Sequence, residues 1–381
     1  MLNKINDLPL IVNEHDYGRD VSYVTLGGFG GFCSTGLYEK STKNFFHINR
    51  ATMLIFTLMV KNYCKEINRI RTKIQVNKTT YSITIKTKQK KIEEDIYNLL
   101  DAVYDQKYDE NAFIDAKEKI LKDFSEKYSD AKFKAYLNIL EFSDKNKDYN
   151  FIDLAKDIKE ISFKEFDSII SKLVTFKNSL LLINGQIPSN TEKFIQLILD
   201  KKTETDDIQL IYSVRDPYLE TDMHLVKQDK AYLEMGALRF NFLGENIGLE
   251  EQCLLLNIVG ITLFSKRFDI SIDSVDKSIV YMEAPLKEYK NEIYDIFANV
   301  NIAKLKNELL YVNNKLMTEK PYLFNNFLLN IELNNIDYLK YLDLLINMDE
   351  SSLQDLVNRG KLKITEAHLI FKERKVFTNV K

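Results

Sequence analysis

The feature that most constrains this chain is a supersecondary unit that it uses twice. In residues 78–124, Tyr81, Ile83 and Ile85 alternate with Ser82, Thr84 and Lys86, the period of two expected of a half-buried strand. Ile92, Ile96, Leu99, Leu100 and Val103 then form one apolar stripe on a helix. Asp109 is placed to cap a second helix with Phe113, Ala116, Ile120, Leu121 and Phe124 on its inner face. Residues 278–317 read the same way, with the stripe Ile293, Ile296, Phe297 and Val300. Ile96-Tyr97 and Ile293-Tyr294 stand 197 residues apart (293 − 96), and the same shift carries Asn49 onto Asn246 and Val103 onto Val300. A second pair, 162–185 and 351–374, each reads as a capped short helix followed by a strand. Self-similarity of such long period predicts two copies of one domain, an N-terminal copy over 1–205 and a C-terminal copy over 206–381. The expected class is α+β, each copy a mostly antiparallel sheet with helices packed on one face.

The length of 381 residues suits two cores better than one. A formal net charge of −3 argues against nucleic acid as the main partner. The basic run 86–91 has no aromatic platform on which bases could stack. Three widely spaced cysteines, Cys33, Cys64 and Cys253, imply no disulfide framework and suit a reducing compartment. With no secretory pattern in residues 1–16, the expected location is the cytoplasm. The apolar run 51–60 is too short to span a bilayer, so no membrane span is expected. Abundant Lys, Asn, Ile, Tyr and Phe, with no Trp, suggest an AT-rich, bacterial genome.

Taken in order, residues 8–13 and 21–26 read as paired strands joined by a turn. Gly27, Gly28, Gly30 and Gly31 follow, without the Lys-Ser/Thr of a phosphate loop or the spacing of a dinucleotide fingerprint. They are expected at a turn, a bulge or a close backbone approach. Residues 44–67 read as the core helix of the first copy and 249–264 as its counterpart. The charged stretch 201–207 reads as the linker, with strands at 209–214 and 232–242 opening the second copy and 363–372 closing it.

This order of elements resembles the pitrilysin/insulinase family of zinc metallopeptidases, in the length of its short bacterial members. Residues 81–124 and 180–198 (LLLINGQIPSNTEKFIQLI) look like that family's first-domain scaffold, and 227–242 (KQDKAYLEMGALRFNF) like the opening of its second. The resemblance implies a two-domain chain forming half of a clamshell around a peptide. It also implies His-x-x-Glu-His on the first core helix, binding zinc with a Glu from the second helix of the opening unit. This chain has four histidines, His15, His47, His224 and His368, none at helical spacing from another. With Met53 as the apolar residue after the motif, the three chemical positions hold Ile48, Ala51 and Thr52. No zinc, no other cofactor and no catalytic residue are therefore expected. The family's second domain holds the substrate backbone with an Arg and a Tyr. Arg267 matches the Arg, Ser274 stands where the Tyr is expected, and the strand beginning near Tyr232 is expected to offer an open edge to peptide. The expected role is a non-catalytic subunit that completes the peptide chamber of an active zinc metallopeptidase subunit of the same family. Leader removal or maturation of a ribosomally made peptide is the setting by analogy. The alternative is a stand-alone peptide-binding or scaffold protein.

Overall fold

The computed structural model describes residues 2–5, 10–17, 20–144, 151–199, 208–212, 223–229, 233–243, 247–265, 269–273, 278–282, 297 and 301–373. In chain order the first half contains β1 (Leu2–Ile5), β2 (Leu10–Asn13), β3 (Val21–Phe29), β4 (Ser34–Glu39), β5 (Asn44–His47), α1 (Thr52–Glu66), β6 (Thr72–Val76), β7 (Thr80–Lys88), α2 (Ile92–Leu100), α3 (Glu110–Tyr128), α4 (Ala131–Asp144), α5 (Phe151–Glu160), α6 (Phe163–Leu173), β8 (Ser179–Asn184) and α7 (Thr191–Leu199). The second half contains β9 (Ile208–Tyr212), β10 (Met223–Asp229), β11 (Leu233–Phe242), α8 (Leu249–Ser265), β12 (Asp269–Asp273), β13 (Ser278–Met282), α9 (Ile302–Glu319), α10 (Pro321–Leu333), α11 (Tyr338–Asn347), α12 (Glu350–Gly360) and β14 (Leu362–Glu373).

These elements form two compact units that are not simple halves of the chain. Unit one comprises Met1–Lys122, Leu154–Val214 and Asn313–Asn334; unit two comprises Asp123–Asp153, Arg215–Val312 and Asn335–Lys381. Each therefore includes a helix donated by the other half: α10 enters unit one and α4 enters unit two. Unit one holds a six-stranded sheet ordered β1-β2-β8-β3-β7-β6, and unit two a five-stranded sheet ordered β10-β14-β11-β13-β12. In both, one parallel pair (β2–β8, β10–β14) is followed by antiparallel pairs only. Strand for strand, β2-β8-β3-β7-β6 matches β10-β14-β11-β13-β12, which is the duplication seen at the level of topology. The 197-residue shift carries Thr72–Val76 onto Asp269–Asp273, whereas the predicted stripe 293–300 lies outside the described residues except for the buried Phe297.

Three local expectations change. Strands β2 and β3 are not paired to each other, because β8 inserts between them, parallel to β2 and antiparallel to β3. The core helix starts at Thr52 rather than residue 44; Asn44–His47 instead pairs with β4 in a three-stranded sheet ordered β5-β4-β9. Strand β9, which the sequence places in the second copy, pairs with β4 and lies in unit one. Elsewhere the local chemistry works as read. Asp109 Oδ1 accepts from Ala112 N at 2.8 Å to start α3, and Ser162 and Glu165 form a reciprocal capping box on α6. The Lys201–Asp207 stretch lies outside the described residues.

The fourth change explains the most. Strand β7 is buried on both faces, with Tyr81, Ile83 and Ile85 on one side and Ser82 and Thr84 on the other. The apolar side meets α1, where Phe56 packs edge-on against Tyr81 at 6.1 Å between ring centroids. That helix buries Met53, Ile55, Phe56, Leu58, Met59, Val60 and Cys64, each large apolar side chain contributing about 1.5–3 kcal/mol. The hydroxyl side meets α10. There Asn13 Nδ2 donates to Asn184 Oδ1, Asn184 Nδ2 donates to Asn325 Oδ1, and Asn325 Nδ2 donates to Thr25 Oγ1, each at 3.0 Å. Thr25 Oγ1 in turn shares a hydrogen bond with Thr84 Oγ1 at 2.8 Å. At the next residue Ser82 Oγ donates to Asn326 Oδ1 (2.8 Å), and one helical turn along Thr80 Oγ1 donates to Asn330 Oδ1 (2.7 Å). Leu329 of the same helix lies so close that a Cβ at Gly27 would sit 2.8 Å from its methyl carbons and 2.2 Å from Tyr81 O. Glycine at 27 is thus required chiefly by the Tyr81 carbonyl of the neighbouring strand, with Leu329 of α10 filling the space beside it, a close-approach role of the kind expected of the glycine-rich stretch.

Asn325 is fully buried and is joined to β3 and β8 by its side-chain amide. Asn325→Leu, similar in volume, strands the Asn184 amide and takes from the Thr25 hydroxyl one of its two partners. It is expected to lower unfolding stability by about 2–3 kcal/mol, because each buried polar group left without a partner costs about 1–3 kcal/mol. Urea unfolding of the full chain checks this; an unchanged midpoint would show that the amide bridge contributes nothing.

Candidate functional site

The place to look for chemistry is the entry to α1. Ile48 N donates to Thr35 O at 3.0 Å. Asn49 ties this corner down twice, accepting from Ala51 N at 2.8 Å and donating to Asp157 O at 3.0 Å. Arg50 Nε meets Asp157 Oδ2 at 2.6 Å. The three positions where the resemblance puts zinc chemistry, Ile48, Ala51 and Thr52, are all buried. Ile48 and Ala51 carry no donor atom, and the Thr52 hydroxyl is a neutral oxygen with no hydrogen-bond partner. Three protein ligands of N, S or carboxylate type are what a catalytic zinc requires, so these residues do not fit the ion.

The histidines are dispersed. His15 is half-buried against Tyr17, edge-on with centroids 4.5 Å apart. His47 is exposed at the end of β5. The Glu165 carboxyl is held below the usual range chiefly by the Ser162 N–H and O–H, with His47 a lesser cause. His224 and His368, far apart in sequence, are register partners on β10 and β14. Among the described residues no three His, Cys, Asp or Glu side chains gather as a metal site would need. All three cysteines are buried and unpaired with one another; burial pushes the Cys64 thiol up to about 11, which removes the thiolate that a nucleophile needs.

Arg267 and Tyr232 lie outside the described residues, just beyond the ends of α8 and β11. The open edge expected at β11 is not there: β14 and β13 flank the strand on its two sides. The expectation came from the family resemblance, which puts the substrate cradle at this strand. The described sheets end instead at β1 and β6 and, in the three-stranded sheet, at β5 and β9 in unit one, and at β10 and β12 in unit two. Gly30, with φ of +116°, and Gly31, whose backbone passes against the Lys78 carbonyl, turn the chain from β3 into β4.

Two polar clusters were not singled out by sequence reasoning. One is the Asn/Thr/Ser face beneath α10. The other is a pocket of about 220 Å³ lined by Lys61, Lys73, Gln75, Ser82, Tyr322 and Asn326, beside β6. A serine or threonine alternating along a strand reads as solvent-facing, and only the run of asparagines in 321–334 hints at a polar partner.

Comparison with solved structures gives this geometry a context. An M16-like peptidase from Alicyclobacillus acidocaldarius superposes with a TM-score of 0.72 over 97% of this chain and 98% of its own, at 11% identity. The fold is that of the M16-like peptidases. A peptidase M16 inactive domain from Pseudomonas fluorescens matches at a TM-score of 0.64 and 10% identity, covering 96% and 97% of the two chains. A mutant of the ferredoxin protease FusC, in complex with Arabidopsis ferredoxin, matches at 0.61 and 8% identity; 98% of this chain corresponds to 46% of that one. No protein-family model matches the sequence, and no curated protein does. Among the described residues no helix is long and apolar enough to cross a membrane.

Two outcomes follow from the site. Purified protein is expected to carry zinc well below one ion per chain, and a chelator to leave Tm unchanged, since an occupied site would stabilise the fold by mass action; metal analysis with thermal melts checks both. The second concerns Glu39, buried and bonded to Lys172 Nζ at 2.8 Å. Lys172, then Thr42, holds this carboxyl below its ordinary value. A depressed folded-state pKa contributes stability above the unfolded-state value and loses it as pH falls through the folded one. Wild type is therefore expected to lose more stability than Lys172→Met between about pH 5 and 3, read from Tm against pH.

Proposed function

We propose that this protein is a non-catalytic member of the M16, or pitrilysin/insulinase, family that holds extended peptide for an active zinc-bearing subunit. The observation that carries the reading is a peptidase fold matched over nearly the whole chain; with Met53 taken as the residue after the metal motif, the resemblance puts the buried Ile48, Ala51 and Thr52 at its chemical positions. That a solved neighbour of the same extent is described as an inactive M16 domain supports it. So does the FusC complex, in which a chain of about twice this length binds a protein. On this reading the copies 1–205 and 206–381 together supply one wall of a peptide chamber. Arg267 and Tyr232 touch the substrate backbone, and the partner cuts a leader or trims a ribosomally made peptide in the cytoplasm.

Binding in such a protein runs through backbone hydrogen bonds to an open sheet edge, with side-chain pockets adding selectivity. Since β11 is internal, the edge belongs elsewhere, and β6 is the one beside a formed polar pocket.

Co-expression with a neighbouring-gene subunit that carries His-x-x-Glu-His, followed by purification and peptidase assay, tests the reading. The mixed complex is expected to cleave unfolded peptide faster than the active subunit alone, and Arg267→Ala to reduce that gain. This chain by itself is expected to bind such peptides and cleave none. Cleavage by the isolated chain, with contaminating protease excluded, would overturn the non-catalytic reading. Peptide binding that no metallopeptidase subunit influences would favour a stand-alone peptide-binding or scaffold protein.

A further inference from the structure

The pocket beside β6 has an unusual donor balance for a chain of net charge −3. Lys61 from α1 and Lys73 from β6 both line it, and no Asp or Glu is among its described lining residues. The neutral groups lean the same way. Asn326 Oδ1 already accepts from Ser82 Oγ (2.8 Å) and Asn77 Nδ2 (3.4 Å). What Asn326 has left to offer is its NH₂ group. The pocket therefore presents two ammonium groups and one amide donor, with no opposing carboxylate.

A lysine on an edge strand is often only a guard against sheet-to-sheet aggregation, projecting into water. Lys73 does not project freely: its Nζ lies 3.3 Å from the centroid of the Tyr322 ring. A cation–π contact of this kind fixes the ammonium over the α10 side of the sheet, next to Asn326. The same strand leaves its outer edge unpaired among the described residues, so an extended chain laid along β6 passes the mouth of the pocket.

We propose that this pocket selects peptides by binding a carboxylate, supplied by an acidic side chain or by the peptide's own C-terminus; the inference rests on the peptide-binding reading above. Charge-assisted hydrogen bonds from Lys61 and Lys73 supply the attraction, and strand pairing along β6 supplies the register. The substrate class is thereby narrowed to peptides carrying an anionic group in or beside the segment that pairs with β6.

The test uses the full chain and unlabelled, N-acetylated unfolded decapeptides, read by isothermal titration calorimetry at low and at moderate salt. Four probes are compared: one central Glu or Gln, each with a free or an amidated C-terminus. The expected result is about tenfold tighter binding of carboxylate-bearing probes than of the amidated Gln probe, the scale of one charge-assisted hydrogen bond. Which carboxylate carries the preference identifies its source. The double variant Lys61→Gln, Lys73→Gln is expected to abolish the preference while leaving the affinity for the amidated Gln probe unchanged; both side chains are at least partly exposed, and circular dichroism confirms folding. Equal binding of all four probes by wild type, or a preference that survives in the double variant, overturns the pocket assignment alone. Failure of wild type to bind any probe overturns the peptide-binding reading together with it.

Discussion

The amide of Asn325 is the interaction on which unit one depends. It sits where a helix from the far end of the chain meets the hydroxyl face of a sheet built almost wholly from residues 1–184. Hydrophobic packing alone would leave that face, made of Thr25, Ser82, Thr84 and Asn184, desolvated and unpaired, which costs more than the apolar contacts of α10 return. The asparagines of α10 replace the lost water, and Gly27 lets Leu329 come close enough for both kinds of contact at once. A buried polar network is worth having only when each member finds its partner, and here the chain from Asn13 through Asn184, Asn325 and Thr25 to Thr84 is continuous.

The entry to the core helix is likewise held by side-chain contacts of its own. In unit one the core helix α1 is held by its apolar contacts with the sheet and by the Asn49, Arg50 and Asp157 corner. None of these needs a metal. Ile48 and Ala51 pack as ordinary core residues, and only the unpartnered hydroxyl of Thr52 marks a position that a packing argument leaves unexplained.

Much of the architecture was legible in the residues because it rests on periodicity. The stripe through Ile92, Ile96 and Leu99, the Asp109 cap, the Ser162–Glu165 box and the internal repeat all depend on neighbours within one helix or on a long-period echo. What was not legible depends on partners remote in sequence. Ser82 and Thr84 alternate with isoleucines as a solvent-facing row would, and nothing near them reveals that Asn326 and Asn325 will cover them. The pairing of β2 with β8 instead of β3 has the same origin, a strand arriving from about 170 residues away. Of the candidate site, the residues show by themselves only that Ile48 and Ala51 carry no side-chain donor atom; Lys61 and Lys73 were not legible as a pair, since only the folded edge brings them to one pocket.

The exchange of helices between the two units bears on how the chain is made. By the time β8 leaves the ribosome, every strand of the six-stranded sheet has been synthesised, but α10 follows only after well over a hundred further residues. For that interval one face of the sheet is bare. An uncovered aliphatic face would recruit other nascent chains, whereas a face whose aliphatic residues, Ile11 and Leu182, are interrupted by Ser, Thr and Asn is partly wetted. The polar layer under α10 is thus suited to a late-arriving cover, and cutting the chain into its two repeats would leave each sheet without the helix that closes it.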